Sequence, residues 1–298
     1  MWLLAPTEER NQATLDIDLR STLEMLRLIN DEDAKVPGAV REVLPAVAAA
    51  VDLAHGALRA GHRVHYFGAG TSGRIAVLDA VELVPTYALD PELVVAHPAG
   101  GAPAMERPVE NVEDDEAAGA AEGAVLAAGD VAIGLSASGR TPFVVGALRA
   151  ARSRGAGTVL VSANPGARAE VDVHIGVSTG PEAIAGSTRM KAGTAEKLVL
   201  NAFSTALMVR LGRTYSNLMV AVAGSNAKLR GRVVRILTEA TGLDPSTCAL
   251  AAEQAGGDCR VALVTLLADV PVDAARQALE AAAGGVRQAL VLLRANTH

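Results

Sequence analysis

The chain has 298 residues, half of them apolar, and a formal net charge of −6. That length supplies core enough for one large or two modest domains, while the acidic balance and an aromatic content of 2% remove the phosphate-tracking field and the stacking surface that nucleic-acid binding uses. There is no run of about 18–20 apolar residues to cross a membrane. The opening Met1–Pro6 is too short for a signal peptide and runs straight into Glu8 and Glu9. Cys248 and Cys259, with no histidine at ligand spacing, indicate neither a disulfide nor a zinc site. The expectation is a cytoplasmic globular protein that binds no nucleic acid and no membrane.

In chain order, Ser21–Glu24 (Ser-Thr-Leu-Glu) has the form of a capping box, with Leu19, Leu23 and Leu26 at helical spacing, and predicts a short first helix. After an acidic turn at Asn30–Asp33, with Pro37 near the next start, Val40, Val43, Leu44, Val47, Val51, Ala54 and Leu58 trace one apolar stripe and predict a second, longer helix. Residues 1–60 hold 10 acidic against 6 basic side chains, the wrong sign for a DNA-reading helical module, so this part reads as packing or dimer surface.

From Val64 the pattern changes. β-like runs at Val64–Phe67, Leu93–Ala96, Val131–Leu135, Thr158–Ser162 and Val171–Val177 alternate with helical stretches, the grammar of an α/β fold with a parallel sheet covered by helices on both faces. Two of these strands end in turns of glycines and hydroxyls, Gly68–Arg74 (Gly-Ala-Gly-Thr-Ser-Gly-Arg) and Ser136–Thr141 (Ser-Ala-Ser-Gly-Arg-Thr). Glycine lets backbone approach an anion, hydroxyls and amides donate to it, and the helix that follows adds a favourable dipole. Ligands of such sheets sit at the carboxyl ends of the strands, where both turns fall. Further on, Thr188–Leu211 is free of proline, predicts a central buried helix and can stop at Gly212; beyond Gly242 the chain is alanine-rich and helical, with turn signals at Asp244–Ser246 and Ala255–Asp258. The boundaries read as an N-terminal helical segment 1–55, a phosphosugar-binding domain 56–238 and a small helical C-terminal domain 239–298.

Gly68, Gly70 and Gly73 also satisfy a dinucleotide fingerprint, with Asp90 and Glu92 about 20 residues on. Against that reading stand Thr71 and Ser72 in the variable positions and the second loop of like chemistry, which a Rossmann fold does not need. A phosphorylated sugar fits the pair of loops better.

Four strings make the chain recognisable: Gly68–Arg74; Leu78–Ala80 with Glu82 and Pro85–Thr86; Val109–Glu110 with Glu113–Asp114; and Gly186–Ala195 (Gly-Ser-Thr-Arg-Met-Lys-Ala-Gly-Thr-Ala). Together they closely resemble the N-acetylmuramic acid 6-phosphate etherases, members of the sugar isomerase (SIS) superfamily. The likeness runs from about Thr7 through Thr22–Met25, Ile29–Asp33, Asn217–Val220 and Asn226 into the C-terminal helices.

The resemblance implies an SIS-type sheet and a lyase that cleaves the D-lactyl ether of N-acetylmuramate 6-phosphate, giving N-acetylglucosamine 6-phosphate and D-lactate during peptidoglycan recycling. It also implies a homodimer with neither metal nor organic cofactor. By motif position, Glu82 is the acid that protonates the departing lactyl oxygen and Glu113 the base that takes the C2 proton. Read without the family, Glu82 is a solvated helix-end carboxylate, and Glu113 one member of the acidic run Glu110–Glu116. For the phosphate and sugar the candidates are Thr71, Ser72, Gly73, Ser136, Ser138, Gly139, Thr141 and, for a sugar hydroxyl or a dimer contact, Glu182. Arg74 and Arg140 are open between phosphate and an interface salt bridge. Two departures from the family pattern are Ala221, where an aspartate is expected, and Glu196, where glutamine is usual; neither falls at the acid or base. The six histidines form no metal-ligand spacing and read as structural. The rival readings are an aldose–ketose isomerase, which needs no acid aimed at C3, and a non-catalytic sugar-phosphate sensor.

Overall fold

The computed structural model describes residues 5–222 and 227–295; Met1 and Asn226, named above, and the last of the six histidines, His298, lie outside them. Internal contacts divide the chain into two units, one comprising residues up to Val81 together with Pro91–Ser204, the other Glu82–Asp90 with the chain from Thr205 onward. Position 238/239, one of the expected boundaries, falls inside a helix whose Val233, Ile236 and Leu237 are core residues shared with the C-terminal helices.

Up to Arg210 the elements are α1 (Thr22–Asp33), α2 (Val36–Glu42), α3 (Leu44–Arg59), β1 (Val64–Gly68), α4 (Gly70–Tyr87), β2 (Val94–Pro98), a single turn α5 (Pro103–Glu106), α6 (Glu116–Gly123), β3 (Val131–Leu135), α7 (Pro142–Ser153), β4 (Gly157–Ser162), β5 (Val173–Gly176) and α8 (Lys191–Arg210); the last turns of α4, from Glu82, and of α8, from Thr205, belong to the second unit. At the start of α1 the Glu24 carboxylate accepts from the Ser21 backbone N–H at 2.9 Å and from its hydroxyl at 2.6 Å. The expected acidic turn at Asn30–Asp33 is instead the last turn of α1. The single long helix expected after it is two, α2 and α3. They part at Val43 (φ −99°, ψ 3°), because Pro45 has no N–H to carry the ladder across.

All five strands of the main sheet are parallel, in the order β2-β1-β3-β4-β5. β1 and β3 are buried along their whole length, as a sheet covered on both faces requires. Alternation sends Phe67, Ala132 and Leu160 to one face, where Phe143, Val144, Ala147 and Leu148 of α7 meet them. Tyr66 points to the other face, where its hydroxyl donates to Asp79 of α4 at 3.0 Å and its ring meets Phe203 of α8 edge-on. Gly157 faces Leu53 of α3, whose side chain would lie about 3.0 Å from any added Cβ.

The histidines expected to be structural are so where the structure gives partners. His65 Nδ1 lies 2.9 Å from His97 Nε2, His97 Nδ1 lies 2.8 Å from Glu122, and His174 pairs with the Ser162 hydroxyl at 2.9 Å. Burial lowers the His65 pKa to about 4, with its neighbour His97 adding to the effect.

The second unit adds a two-residue hairpin, β6 (Thr214–Tyr215) and β7 (Leu218–Met219), and the helices α9 (Ala227–Thr241), α10 (Pro245–Gln254), α11 (Cys259–Ala268), α12 (Val272–Ala281) and α13 (Val286–Ala295). Its core gathers Val233, Leu237, Leu263, Ala275 and Leu279 around the buried free thiols Cys248 and Cys259. Asp244 and Asp258 cap α10 and α11 by accepting two backbone N–H groups each. Ala221 is buried. Among the described residues no helix is long and apolar enough to cross a membrane.

Candidate active site

The strand order fixes where a ligand can enter. From β1 the chain crosses to β2 on one side and, by way of α6, returns to β3 on the other, so the connections diverge between the carboxyl ends of β1 and β3. A sheet of this order opens its crevice at that point. Both glycine-hydroxyl turns stand there.

The first turn is as tight as its glycines allow. A Cβ on Gly68 would lie 2.7 Å from the Gly73 nitrogen, and one on Gly73 would lie 2.7 Å from the Gly68 carbonyl oxygen. Strand end and helix start therefore touch backbone to backbone, and Gly70 opens α4 at φ +54°. In the second turn Gly139 has φ +70°. Ser136, only 2% exposed, ties the turn together: its hydroxyl lies 2.8 Å from that of Thr141 and 3.4 Å from that of Ser138. Asn164 Nδ2 donates to the Ser138 carbonyl at 3.1 Å, anchoring the loop to the end of β4.

These loops line an open cavity of about 390 Å³ with Ala69, Gly70, Thr71 and Ser72 on one side and Ala137, Ser138, Thr141 and Pro142 on the other. The N-termini of α4 and α7 both begin at its wall, a favourable setting for negative charge. Glu113 lines the same cavity. It is held there by its backbone, whose carbonyl accepts the Phe143 N–H at 3.1 Å and so fastens the acidic loop to the first turn of α7.

Residues 46–152 match the family model described as the glucokinase regulatory protein N-terminal SIS domain. Over nearly the full length the chain is similar to proteins named N-acetylmuramic acid 6-phosphate etherase. The one from Thermobifida fusca is 63% identical over 88% of this chain and 87% of its own. The one from Rubrobacter xylanophilus is 51% identical over 95% of each, and the one from Pectobacterium atrosepticum 50% identical over 96% of this chain and 95% of its own. The chain belongs to the N-acetylmuramic acid 6-phosphate etherase family. A phosphoheptose isomerase from Neisseria gonorrhoeae shares the fold, with a TM-score of 0.50 at 18% identity over 63% of this chain and 99% of its own. So does one from Francisella tularensis, with a TM-score of 0.50 at 17% identity over 64% and 100%.

Of the candidate positions, the turn hydroxyls Thr71, Ser72, Ser138 and Thr141, and Glu113, singled out by resemblance to the etherases, share the cavity. Gly73, Ser136 and Gly139 are buried behind it and shape the turns. Neither Arg74 nor Arg140 lines it. Glu182, a candidate for a sugar hydroxyl or a dimer contact, does not line the cavity. It is fully buried, and its two carboxylate oxygens accept the backbone N–H groups of Lys191 and Ala192 at 2.9 and 3.0 Å, so it caps α8. Glu82 does not line the cavity either. It is exposed on α4, ten residues past Ser72, which is about 15 Å along a helix axis.

Four further cavity residues with polar side chains were not among the candidates: Thr7, Glu8, Asp114 and Thr188. Thr7 is brought in by its carbonyl, which accepts from the Gly186 N–H at 3.0 Å. Thr188 stands inside the Gly186–Ala195 string, the one signal available for it. Behind the cavity wall lies Glu196 of α8, 2% exposed, with Oε1 2.9 Å from the Ser72 hydroxyl and Oε2 without a hydrogen-bond partner. Burial pushes its pKa up to about 8, against the lowering effect of the Ser72 bond. Deeper along the same helix pair, Asp79 accepts from Ser204 at 2.9 Å, and burial raises its pKa to about 6.

Proposed function

We propose that the protein is a carbon–oxygen lyase that cleaves the D-lactyl ether of N-acetylmuramate 6-phosphate to N-acetylglucosamine 6-phosphate and D-lactate, in the recycling of cell-wall amino sugars. The observation that carries this reading is the sharing of one cavity, at the carboxyl ends of β1 and β3, by Glu113 and the hydroxyls of Thr71, Ser72, Ser138 and Thr141, in a chain of the etherase family. The hydroxyls and the N-termini of α4 and α7 hold the phosphate as a fixed handle. A phosphorylated sugar does not cross membranes unaided, so enzyme and substrate share one compartment, which in this reading is the cytoplasm.

In the ring-opened substrate the C2 hydrogen is α to the C1 aldehyde, and the lactyl oxygen on C3 is a β leaving group. The Glu113 carboxylate takes the C2 proton. Electrons move into a C2–C3 double bond as the C3–O bond breaks, and Glu82 gives its proton to the departing oxygen, which leaves as the lactate hydroxyl. Water then adds at C3 and a proton returns to C2, so atoms balance with no oxidant, reductant or organic cofactor.

Because Glu82 lies outside the cavity that Glu113 lines, a second copy of the chain supplies it. Leu78, Val81 and Pro85 share the exposed stripe of α4 with Glu82; Leu78 is 49% and Val81 59% exposed. That stripe is the kind of apolar surface a partner covers, and a homodimer sharing its sites accounts for it. The test is to incubate the purified protein with N-acetylmuramate 6-phosphate. D-lactate release is the expected result; tight binding without product would make the protein a sensor.

A further inference from the structure

Glu196 is a buried acid that the elimination does not use, yet it touches a residue of the phosphate cradle. Its Oε1 lies 2.9 Å from Ser72 Oγ, its Oε2 has no partner, and it is 2% exposed. On α8, Lys191 is held by the Glu32 carboxylate at 2.6 Å and Lys197 is exposed. On α4, Arg74 is half-buried, and Asp79 is bonded to Tyr66 and Ser204. Across the Ser72 cavity stand Glu8, Glu113 and Asp114, all of them acidic.

The proton count at Ser72 decides what Glu196 can do. A serine hydroxyl has one proton to donate, and both a carboxylate and a phosphate only accept. If Glu196 is ionised, it accepts the hydrogen bond of the Ser72 O–H, and Ser72 turns lone pairs toward the phosphate. If Glu196 is a carboxylic acid, its own O–H donates to Ser72 Oγ, and the Ser72 proton is released to the phosphate. We propose that Glu196 is a positioning residue that works in its protonated form, donating to Ser72 so that Ser72 can donate to the substrate phosphate, which makes phosphosugar binding proton-linked.

This inference rests on the reading of the Ser72 cavity as the phosphate site. Burial, which raises the Glu196 pKa to about 8, keeps the required form populated at neutral pH. A phosphate dianion brought next to Ser72 disfavours the ionised form further. A glutamine at 196 would donate to Ser72 through its amide without titrating.

The experiment measures the Kd of N-acetylglucosamine 6-phosphate by calorimetry between pH 7 and 9, where the sugar phosphate is already a dianion, for the wild type and for Glu196→Gln. D-lactate release is assayed in parallel. The wild-type Kd is expected to weaken roughly tenfold across that interval, one proton per ligand, and the Glu196→Gln Kd to stay flat. An infrared difference spectrum of the two proteins at pH 7 is expected to contain a carboxylic-acid carbonyl band belonging to Glu196, a readout that holds even if the variant is less stable. A wild-type Kd independent of pH, a parallel weakening in both proteins, or no such band overturns the inference, whether or not D-lactate appears. Proton-linked binding without D-lactate supports the inference and sinks the etherase reading alone. No phosphosugar binding at pH 7 overturns both.

Discussion

In the proposed elimination Glu82 and Glu113 act at different points of the same bond rearrangement, so their replacement has a specific signature. Glu82→Gln keeps the shape and the phosphate handle but cannot give a proton to the lactyl oxygen. It is expected to lose most turnover, on the order of 10²–10⁴-fold for a lost general acid, while retaining affinity for the phosphosugar. Steady-state kinetics beside calorimetry checks this, and equal loss of both would make Glu82 a binding or folding residue. Glu196 gives a second signature, in stability. Its folded pKa of about 8 stands above its ordinary 4.5, so between those values the native state holds a proton that the unfolded chain releases, and stability falls as pH rises through the window. Glutamine does not titrate. The Tm of Glu196→Gln relative to wild type is therefore expected to climb from about pH 4.5 to pH 8, by the equivalent of roughly 3–5 kcal/mol; thermal melts in which the gap does not change with pH contradict it. Ser72 and Thr141 were legible in the sequence because a hydroxyl-glycine turn is a local pattern. Glu196 was visible only as a departure from the family, because its partner Ser72 is 124 residues away.

At the scale of elements, the site depends on where α6, α7 and α8 begin. Gly119 of α6 sits so close to α7 that a Cβ would lie 1.9 Å from the Phe143 carbonyl oxygen, beside the N–H that holds Glu113. Gly119→Ala must push the helices apart, at a cost of about 1–3 kcal/mol, and should lower kcat by shifting the Glu113 loop. A variant as stable and as active as wild type would show that this contact does not position the loop. α8 is anchored at its first turn by Glu182 and by the buried Glu32–Lys191 pair. Burial would push the Glu32 pKa up, but hydrogen bonds from Lys191, Lys35 and Asn11 outweigh it and hold the pKa at about 2. Lys191→Met removes the buried cation and leaves Glu32 with only Lys35 and Asn11, and denaturant melts should register a loss of about 3 kcal/mol. The five strands were legible to within two residues because parallel strands are short apolar runs between turn signals. The break between α2 and α3 was missed because the apolar stripe continues across it; the information lay in Pro45, which forbids what the stripe suggests.

For the whole molecule, the strand order explains why two loops far apart in sequence face one cavity, and no local pattern carries that order. The family strings did carry it, through the fold they imply. The exposed Leu19, Leu23 and Leu26 of the N-terminal segment, where an apolar stripe was read as packing or dimer surface, and the exposed stripe of α4 around Glu82 both call for a covering surface. If a second copy provides it, mixing the inactive Glu82→Gln and Glu113→Gln proteins should restore part of the activity, since hybrid dimers contain one intact site. No recovery after subunit exchange would put both carboxyls in the same chain's site. The central claim is elimination across C2 and C3 followed by hydration, and it is tested most directly by mass spectrometry of the products formed in D₂O and in ¹⁸O-water. Solvent deuterium on C2 and solvent oxygen on C3 of N-acetylglucosamine 6-phosphate, with lactate keeping its original ether oxygen, is the predicted result; solvent oxygen in lactate, or C2 without deuterium, would contradict it.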